Sequence, residues 1–473
     1  MIKKVSPCFF AVVLLVSIFN ALEATSCYPR SIFVPRQLSY NPIFENALML
    51  DTKINETWDW IFSVKPIYTQ SVGSKFKKYF TINHACSLNV QENGSGDIDS
   101  LWFNVISPTG TFYSSQLSFN PKRQTYGALL YFTAQLPCDF QIAITTAVVT
   151  ARNSMHICES GIENPGVCPC YATITQSFAN GSRLFGRING AKKKTGVDDV
   201  QVKLIYEACK NDCLYWDVYG LVGIPTGEGS KARNLFEPLV GSNHAQLGLG
   251  TDAQWNIMEC DCWSWTLLGE AKYRYGFRAT EDRSFDLKNN GQWSRYMLFV
   301  AASDPYNFYP AINNLTFPTK VTPRSSFDLY VATHADYNSW NFELGYDFWF
   351  RSAEKIALCC AQLPNGVGIA DLKGIAVQAP VSASSANISQ GIAAGTNQMI
   401  SDATFVPVTL SDINCRSGAA PRSISNSVYD SIGYKCNYDC YELQIGLNGS
   451  YEAGSSVNTP DNTTVWLNFD LQY

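Results

Sequence analysis

The sequence predicts an all-β protein, an antiparallel transmembrane β-barrel of about 14 strands within a range of roughly 12–16. Three observations predict it. Apolar and polar residues alternate with period two in runs of about ten residues, the length a tilted strand needs to cross a bilayer. Aromatic residues stand at both ends of those runs, where they suit the two interfaces of a membrane. Short connections alternate along the chain with long ones. Helical periodicity is weak, confined to 354–360 and parts of 381–399. Beyond residue 26 no stretch approaches the roughly 20 apolar residues of a membrane helix.

Taken in order, residues 1–26 come first. Lys3 and Lys4, a largely apolar run over 9–19 and small residues ending in Ala24, Thr25 and Ser26 have the layout of a secretory signal peptide. Residues 27–56 lack the barrel pattern and are read as a periplasmic or plug segment. The barrel then spans 57–473, with strands expected at 57–70, 126–137, 140–152, 197–208, 214–224, 243–257, 263–275, 292–302, 325–335, 339–350, 401–410, 428–436, 440–449 and 463–473. It carries a plug-like insertion at 73–122 and long loops or insertions at 153–195, 303–323 and 351–400. Residues 303–323 are long where strand parity asks for a short turn.

The alternation is clearest in 263–275. One face there is Trp263, Trp265, Leu267, Gly269, Ala271, Tyr273 and Tyr275, and the other includes Glu270, Lys272 and Arg274. In 340–350 the apolar face is Trp340, Phe342, Leu344, Tyr346, Phe348 and Phe350, opposed by Asn341, Glu343 and Asp347. A closed barrel satisfies its backbone hydrogen bonds between strands, so its outside can be apolar while its inside is polar. The inward faces then carry Lys203, Glu207, Asp217, Glu270, Lys272, Arg274, Glu343, Asp347, Glu442 and Gln444, which are the candidates to line a water-filled pore.

Three of the short turns are marked by cysteine pairs: Cys209 with Cys213, Cys260 with Cys262, and Cys436 with Cys440. In outer-membrane barrels the short turns are periplasmic and the long loops external. The long Gly-, Asn- and Ser-rich stretches 225–242, 276–291 and 449–462 are therefore placed outside. Counting back from Tyr473, taken to end in the periplasm, puts the cysteine turns on the same side. Sixteen cysteines in an exported chain make disulfides the default. A bridge between Cys260 and Cys262 would be strained, so partners on neighbouring turns or chains are expected. The spacings do not suit zinc and no histidine lies beside them, so no metal is expected.

A net charge of -5 with 16% charged residues lacks the basic excess of a nucleic-acid binder. His84, His156, His244 and His334 are scattered, and neither a nucleophile elbow nor a phosphate-binding glycine loop is present. His334, near Asp336 and Ser339, is a candidate base, against the commoner role of a hydrogen-bonded polar residue. The chain is not expected to be an enzyme or to hold a cofactor.

The final stretch, with Val465, Leu467, Phe469, Leu471 and the terminal Tyr473 on one face, resembles the signal by which the barrel-assembly machinery recognises outer-membrane substrates. Residues 220–227, ending in Pro225, Thr226 and Gly227, resemble the strand end of outer-membrane channels linked to phenol degradation and of the long-chain fatty-acid transporter family. That resemblance implies a similar barrel, an N-terminal plug and passage of small, often hydrophobic compounds. Glu259-Cys260-Asp261-Cys262, with the other cysteine turns, is similar to the cysteine-rich major porins of chlamydia-like bacteria, which implies disulfide cross-linking of the envelope alongside porin activity.

The expected location is the bacterial outer membrane. The expected partners are its lipid, the barrel-assembly machinery and small solutes, with a homo-oligomer or disulfide-linked envelope partners left open. The rivals to a channel are a secreted, adhesin-like β-sandwich and a structural envelope protein.

Overall fold

A computed structural model describes residues 29–48, 59–92, 94–211, 213–260, 262–358, 361–372, 386–390, 403–438 and 441–473. The expected signal peptide lies outside them. Twelve antiparallel strands close into a ring. In chain order they are β1 (Trp60–Val72), β2 (Lys122–Leu136), β3 (Phe140–Ser154), β4 (Val200–Lys210), β5 (Leu214–Ile224), β6 (Gln246–Cys260), β7 (Trp263–Gly276), β8 (Arg324–Tyr337), β9 (Trp340–Arg351), β10 (Ser423–Asn437), β11 (Glu442–Gly454) and β12 (Asp461–Gln472). Each pairs with its sequence neighbours, and β12 closes on β1 from Ile61 opposite Gln472 to Val72 opposite Asp461. Beyond that register Trp60 and Tyr473 exchange main-chain hydrogen bonds of 2.9 and 3.0 Å and stack their rings.

The expected count of 14 is corrected to 12. Residues 292–302 and 401–410 supply no barrel strand. Their extended parts, Leu298–Ala301 and Ala403–Pro407, belong to a separate four-stranded sheet with Asp304–Pro310 and Val367–Leu372. The physical reason is visible in Met297 to Val300, a continuous apolar run buried on both faces. Such a run belongs inside a core, whereas a membrane strand alternates. Removing these two strands also explains why 303–323 broke the parity of short turns and long loops.

All the short connections lie at one end of the barrel and all the long ones at the other. The long loops condense into a cap with its own hydrophobic core, in which Phe80, Trp102, Phe119, Phe178, Trp293, Tyr296 and Phe299 are buried together. The insertion 73–122, expected to be plug-like, packs into this cap. Trp102 Nε1 donates to the Gln390 carbonyl at 2.8 Å, and Asp99 N to that of Ile388 at 2.8 Å.

One further strand, Lys192–Val197, pairs with Val148 to Asn153 at the loop end of β3. It runs on into β4, which pairs with the other half of β3, but the register slips by one residue at Asp198 and Asp199. That is a bulge, which leaves two carboxylates free to bind something other than the sheet.

Candidate functional site: the barrel lumen

The polarity of the wall follows the alternation read from the sequence. Outward faces are apolar, with Leu249 65% and Leu344 61% exposed. Aromatic pairs Trp263–Tyr337, Trp340–Tyr434 and Tyr438–Tyr441 ring the turn end at 4.6–5.1 Å between centroids, and Tyr68 stands opposite Tyr126 towards the loop end. At a rise of about 3.3 Å per residue and a tilt near 40°, the run from Trp263 to Tyr275 covers roughly 30 Å along the barrel axis, a bilayer core's thickness.

The structure brings Lys203, Glu207, Asp217, Glu270, Lys272, Arg274, Glu343, Asp347 and Gln444 inside, all buried. Glu442 sits half-buried at the turn end of β11 and stands apart from them. Of the terminal face, Val465, Leu467, Phe469 and Tyr473 point outward and are exposed.

The inward charges do not face open water. Residues 34–48 lie among them and include α1 (Pro42–Asn46), a five-residue helix started by the Asn41 side chain, which accepts from Ile43 N at 3.1 Å, and by Pro42 in the first turn. So short a helix has little stability of its own and depends on packing. Ile43 and Phe44 supply it, buried against Ile67, Leu129 and Trp466, with Phe44 edge-on to Trp466 at 5.1 Å. Burying two such side chains contributes roughly 1.5–3 kcal/mol each.

The other side of α1 is ionic. Glu45 meets Lys203 at 2.6 Å and Lys272 at 3.2 Å, and both lysines also reach Glu270, at 3.3 and 3.2 Å. Asn46 donates to Glu270 at 2.6 Å. Lys65 donates to the carbonyls of Glu45 and Ala47 at 3.2 and 3.4 Å, and Asn468 donates to that of Ala47 at 2.7 Å.

Towards the loop end, Arg36 bridges Asp328 and Asp347, both at 2.6 Å, and Asp328 also holds Arg274 at 2.6 Å. The bulge completes the grip. Asp198 accepts from the amide and hydroxyl of Ser39 at 3.1 and 3.2 Å, and Asp199 accepts from Ser242 N at 3.0 Å. Thr226 of the Pro-Thr-Gly strand end donates to the Asp198 carbonyl at 2.6 Å, backing the bulge.

At the turn end a tyrosine pair converges on Glu343. Tyr330 donates to it at 3.0 Å and Tyr429 also donates to it, while His334 lies between Glu343 and Asp336 at 3.0 and 3.2 Å. Tyr429 reaches inward across Gly345, where a Cβ would meet its ring at 2.2 Å. Ser339 has no place in this cluster beyond its carbonyl, which accepts from Lys435 N at 2.8 Å. His334 thus bridges two carboxylates, and its ring hydrogen bonds go to them and to no hydroxyl among the described residues. A cavity of about 130 Å³ opens beside it, lined by Asp217, Asp252, His334, Asp336 and Lys435.

Sequence reasoning missed Arg36 and Glu45, because a charge in an unpatterned segment carries no sign of where it docks. It also passed over Asp252 and Asp328, which stand at inward positions of their strands and were findable by the same alternation that found their neighbours.

The described cysteines are free thiols, and the expected intrachain pairing is not seen among them. Cys440 lies outside the described residues. Cys138, Cys213, Cys260 and Cys262 are exposed at the short turns, with Cys209 and Cys436 partly covered beside them. No group of side chains suited to a metal ion occurs among the described residues.

No protein-family model matches the chain, and no curated protein does. Solved structures do resemble it. An outer-membrane channel from Pseudomonas putida F1 aligns at 11% identity over 88% of this chain and 96% of its own, with a TM-score of 0.39. The transport unit of the autotransporter AIDA-I from Escherichia coli aligns at 7% over 91% and 95%, TM-score 0.31. A mutant of the TodX monoaromatic hydrocarbon channel aligns at 9% over 88% and 90%, TM-score 0.30. At these scores none of them bears on function, which rests on the barrel's own wall and lumen.

Proposed function

We propose that the protein is a bacterial outer-membrane channel for passive entry of small solutes, with residues 34–48 serving as a plug. The observation that carries this reading is the inversion of polarity across a closed wall: an exposed apolar belt outside and buried, hydrogen-bonded charge inside. A soluble β-sandwich would bury the apolar face instead. The ionised side of the lumen supports polar solutes ahead of the hydrophobic compounds that the family resemblance implies.

Membrane fractionation with heat-modifiable migration, followed by conductance in planar bilayers, tests the reading. A detergent-dependent, heat-modifiable chain that conducts is the expected result. A chain that stays soluble without detergent would overturn it. A second reading, a disulfide-linked envelope protein, draws on the exposed thiols of the turn rim and is compatible with the first.

A further inference from the structure

The loop end of the lumen holds another cavity, of about 60 Å³, whose wall includes Arg36, Arg274, Arg283 and Arg351 and the acids Glu281 and Glu354. Arg274 is 2% exposed, Arg283 1% and Arg351 9%. The acids near them are already committed. Asp328 holds Arg36 and Arg274, and Asp347 holds Arg36. Glu281 holds Arg283 and His244, and Glu354 takes Arg283 and the Ala420 amide. Arg351 donates to the Val34 carbonyl at 2.9 Å and the Ser423 hydroxyl at 3.2 Å, and among the described residues no carboxylate pairs with it.

What remains is a surplus of donors. Among the described residues, Nε of Arg36, Arg274, Arg283 and Arg351, together with Nη1 of Arg274, is buried without an acceptor, while Asp328, Asp347, Glu281 and Glu354 have no oxygen left so, and Glu228, also on the cavity wall, is held by Lys194 and Lys231 at 3.6 and 3.0 Å. Each unmet buried donor costs about 1–3 kcal/mol, and five of them belong to four arginines that line this one cavity. Towards the turn end no guanidinium is left unmet among the described residues: the unmet atoms there include the carboxylate and amide oxygens Asp252 Oδ1, Gln135 Oε1, Gln444 Oε1 and Asp470 Oδ2 and the hydroxyls of Thr133 and Ser431. An anion is therefore favoured at the loop end alone. Planar guanidinium forks match the oxygens of a tetrahedral oxyanion, which satisfies several donors at once where a water satisfies one or two.

We propose that this cavity binds a small oxyanion of the phosphate class entering the lumen, an assignment that rests on the channel reading for its purpose though not for its chemistry. Calorimetric titration of the full-length chain in detergent with inorganic phosphate tests it, with chloride as the reference anion. Saturable phosphate binding is expected, weakened at least tenfold in Arg351→Gln. Heat-modifiable migration checks that the variant barrel is intact. If it is not, Arg351→Lys takes its place, keeping the charge and losing the fork, and weaker binding is again expected. An absence of phosphate binding by the natural chain, or equal affinity in an intact variant, overturns the assignment. Conductance measured on the same sample separates the two readings: binding without conductance removes the channel and keeps the site, and conductance without binding does the reverse.

Discussion

Glu45 holds two lysines at once, and its side chain is 2% exposed. Replacing it with Gln leaves Lys203 and Lys272 sharing Glu270 alone, a loss on the order of 3 kcal/mol for a buried pair that loses one partner. Because the lost contact joins α1 to the wall, the proposed plug should loosen while the barrel persists. Glu45→Gln is expected to show larger or more frequent openings in planar bilayers and faster proteolysis within residues 34–48; unchanged conductance and cleavage would remove the plug from the account.

A second residue-scale test lies in the cap, where His244 donates to the Phe277 carbonyl at 2.8 Å and to Glu281 at 3.0 Å. Burial alone would lower the imidazole pKa, but the bond and charge of Glu281 outweigh it and raise the value above the ordinary 6.5. Glu281, which burial would raise, is held below its ordinary 4.5 chiefly by Arg283 and then by His244. The histidine's contribution is full below about 6.5 and is lost as pH rises through its raised value; that of Glu281 is full above about 4.5 and is lost as pH falls through its lowered one. Protease resistance of the cap should therefore peak between those values and drop on the alkaline side, and the alkaline drop should vanish in His244→Gln. The inward charges were legible in the sequence because strand alternation assigns a face. Arg36, Glu45 and His244 were not, because their partners are set by tertiary packing.

At the scale of elements, twelve of the strand positions were readable within a few residues, since each alternates over a bilayer's width. The two that failed, 292–302 and 401–410, lie in cap segments whose apolar residues serve a soluble-type core, and a short apolar run does not announce which side of a membrane it will occupy. The closing strand shows what the ends of an element contribute. Deleting Tyr473 removes two main-chain hydrogen bonds and a ring stack from the seam with Trp60. A reduced yield of the heat-modifiable form is expected, and normal assembly would refute the role given to that residue. The turn after β5 makes a sharper case. Gly227 packs so closely on the chain at Val240 and Gly241 that a Cβ would stand 2.2 Å from the Val240 carbonyl oxygen and 2.5 Å from Gly241 Cα. Neither atom belongs to a movable side chain. Gly227→Ala should displace Thr226 from the bulge that holds Ser39, weakening the proposed plug from outside it, and bilayer openings resembling those of Glu45→Gln are the expected signature.

Over the whole molecule, the two ends differ in a way that can be read by chemistry. The cap carries the exposed thiols Cys86, Cys158 and Cys168, and the turn rim carries Cys138, Cys213, Cys260 and Cys262. With the orientation expected of outer-membrane barrels, long loops outside and short turns in the periplasm, these two groups lie in different compartments. A membrane-impermeant maleimide applied to intact cells, with modified peptides mapped by mass spectrometry, should label the cap thiols and spare the rim until the outer membrane is permeabilised. Labelling of the rim first would invert the topology. The same experiment separates a bare channel from a cross-linked one. Rim thiols that stay unreactive after permeabilisation and react once reductant is added were held in disulfides, with other chains or with cysteines outside the described residues, because the described rim cysteines are not paired with one another. Rim thiols that react at once leave the barrel to act alone.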